Sequence, residues 1–172
     1  TSVTLAALLR SEPEVFGALI RGAAGPAELR RRLADAWFFA VMMEKDPRAF
    51  AVVAAGLADR DLGTDPFDVL KLHAVAAAAL GHVAAAQESY RAALVAIRDP
   101  TRAPDLWAAG LTETEAGVLH LELAALALAA GDEGGARREL RPFVSRADVD
   151  LSFIDRLRAR DDLRALWDLA PM

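Results

Sequence analysis

The sequence predicts an all-α protein of antiparallel helical hairpins, and three observations carry that prediction. Hydrophobic residues make up 54% of the chain but aromatics only 6%, with alanine supplying much of the difference. Usage weighted to Ala, Leu, Arg and Glu favours helix, because these side chains lose little freedom there. Alternating, β-branched stretches that would mark strands are essentially missing. Finally, prolines, glycines and capping residues cut the chain into about eight helices joined by short connections, as in a compact bundle or an α-α superhelix.

The elements follow in order. Ser11 and Glu14, with Pro13 between them, read as a helix start with a capping box. GAAGP is a loop, and Pro26 opens the long helix PAELRRRLADAWFFAVMMEK. Asp46-Pro47 stops it and begins another that runs to about Asp59, which completes a helical N-terminal part, residues 1–60. Asp65, Pro66 and Asp68 read as cap, first-turn proline and an acid near the positive helix end. The helix they start reaches Leu80, where Gly81 turns the chain into a second helix ending near Arg98. DPTRAPD is a loop with one short turn at LWAAG. Thr112 and Glu115 form another capping box, opening a helix to Ala130, and Gly131-Asp132 turns into the helix holding GARREL. Pro142 is expected to end or kink that helix. Residues 151–169 read as capping helices that pack Leu151, Phe153, Ile154, Leu157 and Trp167. With 172 residues and no low-complexity linker, the chain reads as a single domain over 1–172.

Charge and composition exclude several classes of function. A net charge of −5 and a pI near 5.2 argue against nucleic acid as a partner, since phosphate binding rests on clustered positive charge. The absence of cysteine removes disulfides, thiolate zinc sites and thiol nucleophiles. The start, TSVTLAALLRSEPEV, carries no basic leader, and the longest uncharged run, LHAVAAAALGHVAAAQ, is shorter than a membrane span needs. A soluble, cytoplasmic protein without membrane contact is expected.

Two stretches share a spacing. Leu70, His73, Ala74 and Ala77 precede Gly81, and His120, Leu123, Ala124 and Ala127 precede Gly131 with the same intervals. After the glycines, GHVAAAQESYRAAL places Ala86, Tyr90 and Ala93 where GDEGGARRELRPFV places Ala136, Leu140 and Phe143. Small residues at Ala74, Ala86, Ala124 and Ala136 let two helix backbones approach, and the larger ones fill the space around them. The pattern resembles the tetratricopeptide repeat over residues 67–98 and 117–145. It departs from that family in having histidine at 73 and 120 and alanine at 77 and 127. The two units also start fifty residues apart against a usual period of roughly 34, which implies an insertion of about sixteen residues.

Chemistry is harder to find. His73, His82 and His120 show no metal-ligand spacing; two of them belong to packing faces and His82 to a turn. DRDLGTD begins like a calcium loop and then puts Thr64 and Leu70 where a glycine and a glutamate are needed. The arginine clusters at 30–32, 137–141 and 156–164 are interleaved with acids, as on solvated faces. No catalytic residue, metal site or cofactor is expected.

The resemblance implies a non-enzymatic module that binds a protein or peptide. In that family the first helix of each hairpin lines the binding face. Here that face would carry Asp68, Lys71, Val75 and Ala78 in one unit, and Val118, Leu121, Ala125 and Leu128 in the other. A carboxylate clamp is not expected, because valine and alanine follow Lys71 and the second stripe is wholly apolar. Such a stripe should be covered by a helix of the chain, a second copy or a partner's amphipathic helix. Two alternatives stand beside this one: a sensing or enzymatic helical domain with an internal pocket lined by His73, His120 and Tyr90, and a structural homo-oligomer, given a mean hydropathy of +0.21.

Overall fold

Prolines and glycines set where the helices start and stop. The structure, a computed structural model, describes residues 47–58, 60–144 and 151–169. It contains α1 (Pro47–Gly56), α2 (Phe67–Ala79), α3 (Val83–Ala96), α4 (Pro104–Ala109), α5 (Thr112–Ala129), α6 (Glu133–Val144) and α7 (Leu151–Arg158), then a 3-10 helix (Asp161–Leu169). The fold is all-α: the described residues form eight helices and no strand. The Ser11 capping box, the helix from Pro26 and its WFFAVMM block lie outside the described residues. Pro142 sits inside α6, which continues to Val144.

The two hairpins share most of their turn bonds. Gly81 and Gly131 adopt φ of 75° and 79°, a left-handed conformation that costs glycine nothing and other residues appreciable strain. In the first turn His82 N–H donates to the Ala77 carbonyl (2.8 Å) and Gly81 N–H to Ala78 (3.0 Å). In the second, Asp132 N–H donates to Ala127 (2.9 Å) and Gly131 N–H to Leu128 (2.9 Å). Ala86 and Ala136 then open the next helices by donating to His82 and Asp132, each at 3.0 Å. These bonds satisfy carbonyls that a helix end otherwise leaves open. The two helices of the second hairpin run in opposite directions. His120 faces Glu139, while Gly117, one turn earlier, faces Phe143, one turn later.

The hairpins differ at the cap. Asp132 accepts a hydrogen bond from Gly135 N–H at 2.7 Å, whereas His82 makes no side-chain cap bond. Asp132→Ala is therefore expected to cost about 1 kcal/mol, read as a lower melting temperature of the parent fold.

Two caps fall elsewhere than the sequence predicts. Pro66 rather than Asp65 occupies the cap of α2, and no side chain caps that helix. Phe67 N–H is already taken by the Arg102 carbonyl (2.9 Å). The Asp65 carboxylate instead turns back to accept Asp61 N–H (2.9 Å). Arg102 closes the same loop, donating to the carbonyls of Asp65 and Leu62. At α5 the cap falls to Leu111, again without a side-chain bond. There Gly110, at φ 68°, ends α4 with the same stop, and Leu111 N–H donates to Leu106. That stop commits Leu111 to start the next helix, so the Thr112–Glu115 box does not form.

The chain divides into two compact units, Thr1–Pro104 and Asp105–Met172, with the boundary at the DPTRAPD loop. In the first, α2 packs against both α1 and α3. That explains why Phe67, Val69, Leu70, Leu72, Ala74, Ala76 and Ala77 are all buried on one short helix. Val53, Leu57, Tyr90 and Ile97 complete this core. In the second, α5 and α6 pair, and α7 and the 3-10 helix pack on them. Leu121, Leu140, Phe153, Ile154, Leu157, Leu163 and Leu166 are buried there. Each such side chain removed from water contributes about 1.5–3 kcal/mol.

Candidate interaction surface

On α2 the side between α1 and α3 is filled, and the remaining residues form a stripe. Asp68 is exposed, and Lys71, Val75 and Ala78 are half-buried. Their intervals of three, four and three keep them on one face. The Lys71 ammonium lies 5.9 Å from the centre of the Phe67 ring, within range of cation–π attraction. The face is therefore mildly apolar with charge at one end.

The equivalent stripe of α5 is differently placed. Leu121 is only 3% exposed and belongs to the core, while Ala125 and Leu128 pack against that core from its edge. Val118 is half-buried. The covering side chains are Phe153, Ile154 and Leu157 of α7 and Leu163 and Leu166 of the 3-10 helix. An added Cβ at Gly117 would stand 3.0 Å from the Phe153 ring, so glycine leaves room for Phe153 to stack on Phe143, centroids 5.0 Å apart.

Polar contacts hold this cover in place. Arg160 donates to Glu122, beside Leu121, at 2.6 Å and to Asp162 at 2.7 Å. Those hydrogen bonds and charges hold the Arg160 guanidinium well above its ordinary value and the Asp162 carboxyl below its own. Arg137 on α6 reaches Asp168 (3.1 Å) and the Ala165 carbonyl (3.3 Å). Trp167 Nε1 donates to the Leu157 carbonyl at 3.0 Å, joining α7 to the 3-10 helix.

The three histidines differ in their surroundings. His73 is buried and Nδ1 lies 2.9 Å from Ser89 Oγ. Ser89 Oγ also lies 3.0 Å from the Ala85 carbonyl, so the hydroxyl joins His73 to the backbone of the facing helix. Burial, with the nearby Arg60 charge and His82, lowers His73 from 6.5 to about 4. His120 Nδ1 sits 3.0 Å from Glu139, and its ring tilts against Phe143 at 4.8 Å. Tyr90 is buried in the first unit and His82 is exposed at its turn.

Sequence reasoning passed over Arg60, Arg102 and Glu122 and read Arg160 as part of a solvated face, while their cross-chain partners lie 28 to 40 residues away. Spacing carries no signal for such pairs. Among the described residues no group of three or more His, Asp or Glu is arranged to hold a metal ion, and no helix is long and apolar enough to cross a membrane. Comparison with models of known families, with curated proteins and with solved structures finds no match.

Proposed function

We propose that this chain is a non-enzymatic, cytoplasmic interaction module resembling tetratricopeptide-repeat proteins, and that its partner is a protein or helical peptide. The observation that supports this reading is the duplicated hairpin, with the same glycine stop and the same buried alanines fifty residues apart. Repeats of this kind exist to present helix faces rather than to assemble reacting groups. The accessible face is the α2 stripe of Lys71, Val75 and Ala78, suited to an amphipathic helix with an acidic residue opposite Lys71. On α5 the stripe of Val118, Leu121, Ala125 and Leu128 is occupied by the chain's own C-terminal helices. A partner gains that site only by displacing them.

A photo-crosslinking residue at Val75 tests this reading. It is expected to capture a discrete partner from the source cell, and one at exposed Val95 is expected not to. Capture at Val95 alone would remove the α2 stripe from consideration. A second reading, a homo-oligomer, is favoured by Trp107 and Leu111, which are 48% and 46% exposed. Light scattering over a range of concentrations decides it, because a strictly monomeric chain rules it out.

A further inference from the structure

We propose that the hairpin of α2 and α3 is an acid-sensitive latch, in which a proton on His73 releases α3 from α2 while the hairpin of α5 and α6 stays closed. The two hairpins share a turn but differ in what meets the histidine. In each, a histidine on the first helix reaches the second helix at positions fifty residues apart, Ser89 and Glu139. His120 meets a carboxylate. His73 meets a neutral hydroxyl, Ser89 Oγ, which also lies 3.0 Å from the Ala85 carbonyl.

Among the described residues, the polar contact of His73 is the Ser89 hydroxyl and not a carboxylate. Arg60, from the loop after α1, has a side chain only 8% exposed and a buried Nε–H without a partner. It hydrogen-bonds the outward-facing Glu88 of α3 at 3.1 Å. Both Arg60 and His82, from the turn, act against a charge on His73. The described side chains of α1 carry no titratable group. On α2 itself, Asp68 is exposed and Lys71 is half-buried beside Phe67. Protonating His73 thus places a charge in a buried contact near Arg60, whose own carboxylate partner is Glu88. Among the described residues no carboxylate is bonded to His73 itself, an unfavourable arrangement for the new charge.

The direction follows from linkage. His73 is held down at about 4 in the fold against 6.5 when free. Between those values the unfolded segment binds a proton that the folded one does not, so stability present above pH 6.5 is lost as pH falls toward about 4. One proton of difference corresponds to about tenfold in the opening equilibrium per pH unit.

Hydrogen exchange with mass spectrometry on the full chain, corrected for intrinsic rates, tests the latch between about pH 7 and about pH 4.5. Peptides from 67–98 are expected to lose up to about tenfold in protection per unit below pH 6.5. Peptides from 117–144 should keep theirs. His73→Asn, whose amide can donate to Ser89 or accept from it, should flatten the response, and so should His73→Leu. Equal loss in both hairpins, or an unchanged response in a folded His73→Asn, overturns the proposal. If neither variant folds, an NMR titration of the parent decides. His73 is then expected to resist protonation until its hairpin opens, and titration near 6.5 within an intact fold would refute the latch.

Discussion

Leu121→Asp is expected to unfold the unit of Asp105–Met172, not merely to weaken a partner's hold. Leu121 lies within the cluster that joins α5 to Leu140, Phe153, Leu157, Leu163 and Leu166. Removing a buried leucine side chain costs about 2–5 kcal/mol, and a carboxylate without a partner in the same place adds several more. That total approaches the ~5–15 kcal/mol by which a whole domain is stable. Circular dichroism should show loss of helix at room temperature. Leu128→Asp, at the half-buried edge, should stay folded with a lower melting temperature, and Val75→Asp on α2 should cost about 1 kcal/mol or less. A fully folded Leu121→Asp would mean that the C-terminal helices do not cover this stripe.

Enlarging either small residue at the hairpin contact should destabilise by a comparable amount in both units. Ala86 and Ala136 have no exposed surface, and each stands at the start of a second helix, immediately after the shared turn. A leucine there must push α3 from α2, or α6 from α5, at about 1–3 kcal/mol. The test is a pair of thermal melts on Ala86→Leu and Ala136→Leu. An unchanged melt for one of them would mean that its helices are not in close contact at that position.

The hairpins were legible because their signals are local. A glycine that must adopt positive φ and alanines repeating at helical intervals both act within one turn, so Gly81, Gly131, Ala74 and Ala124 reveal themselves. The apolar 3-4 spacing of Phe153, Ile154 and Leu157 likewise marks a packing face. What was misread depended on partners distant in sequence. Asp65 looks like a helix cap until the Arg102 carbonyl occupies Phe67 N–H. Thr112 looks like one until the stop at Gly110 hands that role to Leu111. Leu163 and Leu166 are hidden in RDDLRALW, where charged neighbours mask a buried pair. The α5 stripe was legible as apolar, but its cover was not, because the pairing of Glu122 with Arg160 spans 38 residues. The protonation behaviour of His73 was equally hidden, since it depends on the register that brings Ser89 and Arg60 to it.

Scalar coupling across hydrogen bonds, measured by NMR on the isotope-labelled chain, tests most directly whether one hairpin is used twice. The expected result is a matched set of couplings, from His82 N–H to the Ala77 carbonyl and from Asp132 N–H to the Ala127 carbonyl. Gly81 to Ala78 and Gly131 to Leu128 should complete it. Couplings at one glycine and none at the other, in a folded sample, would show that the two segments are different structures and would remove the repeat on which the interaction reading stands.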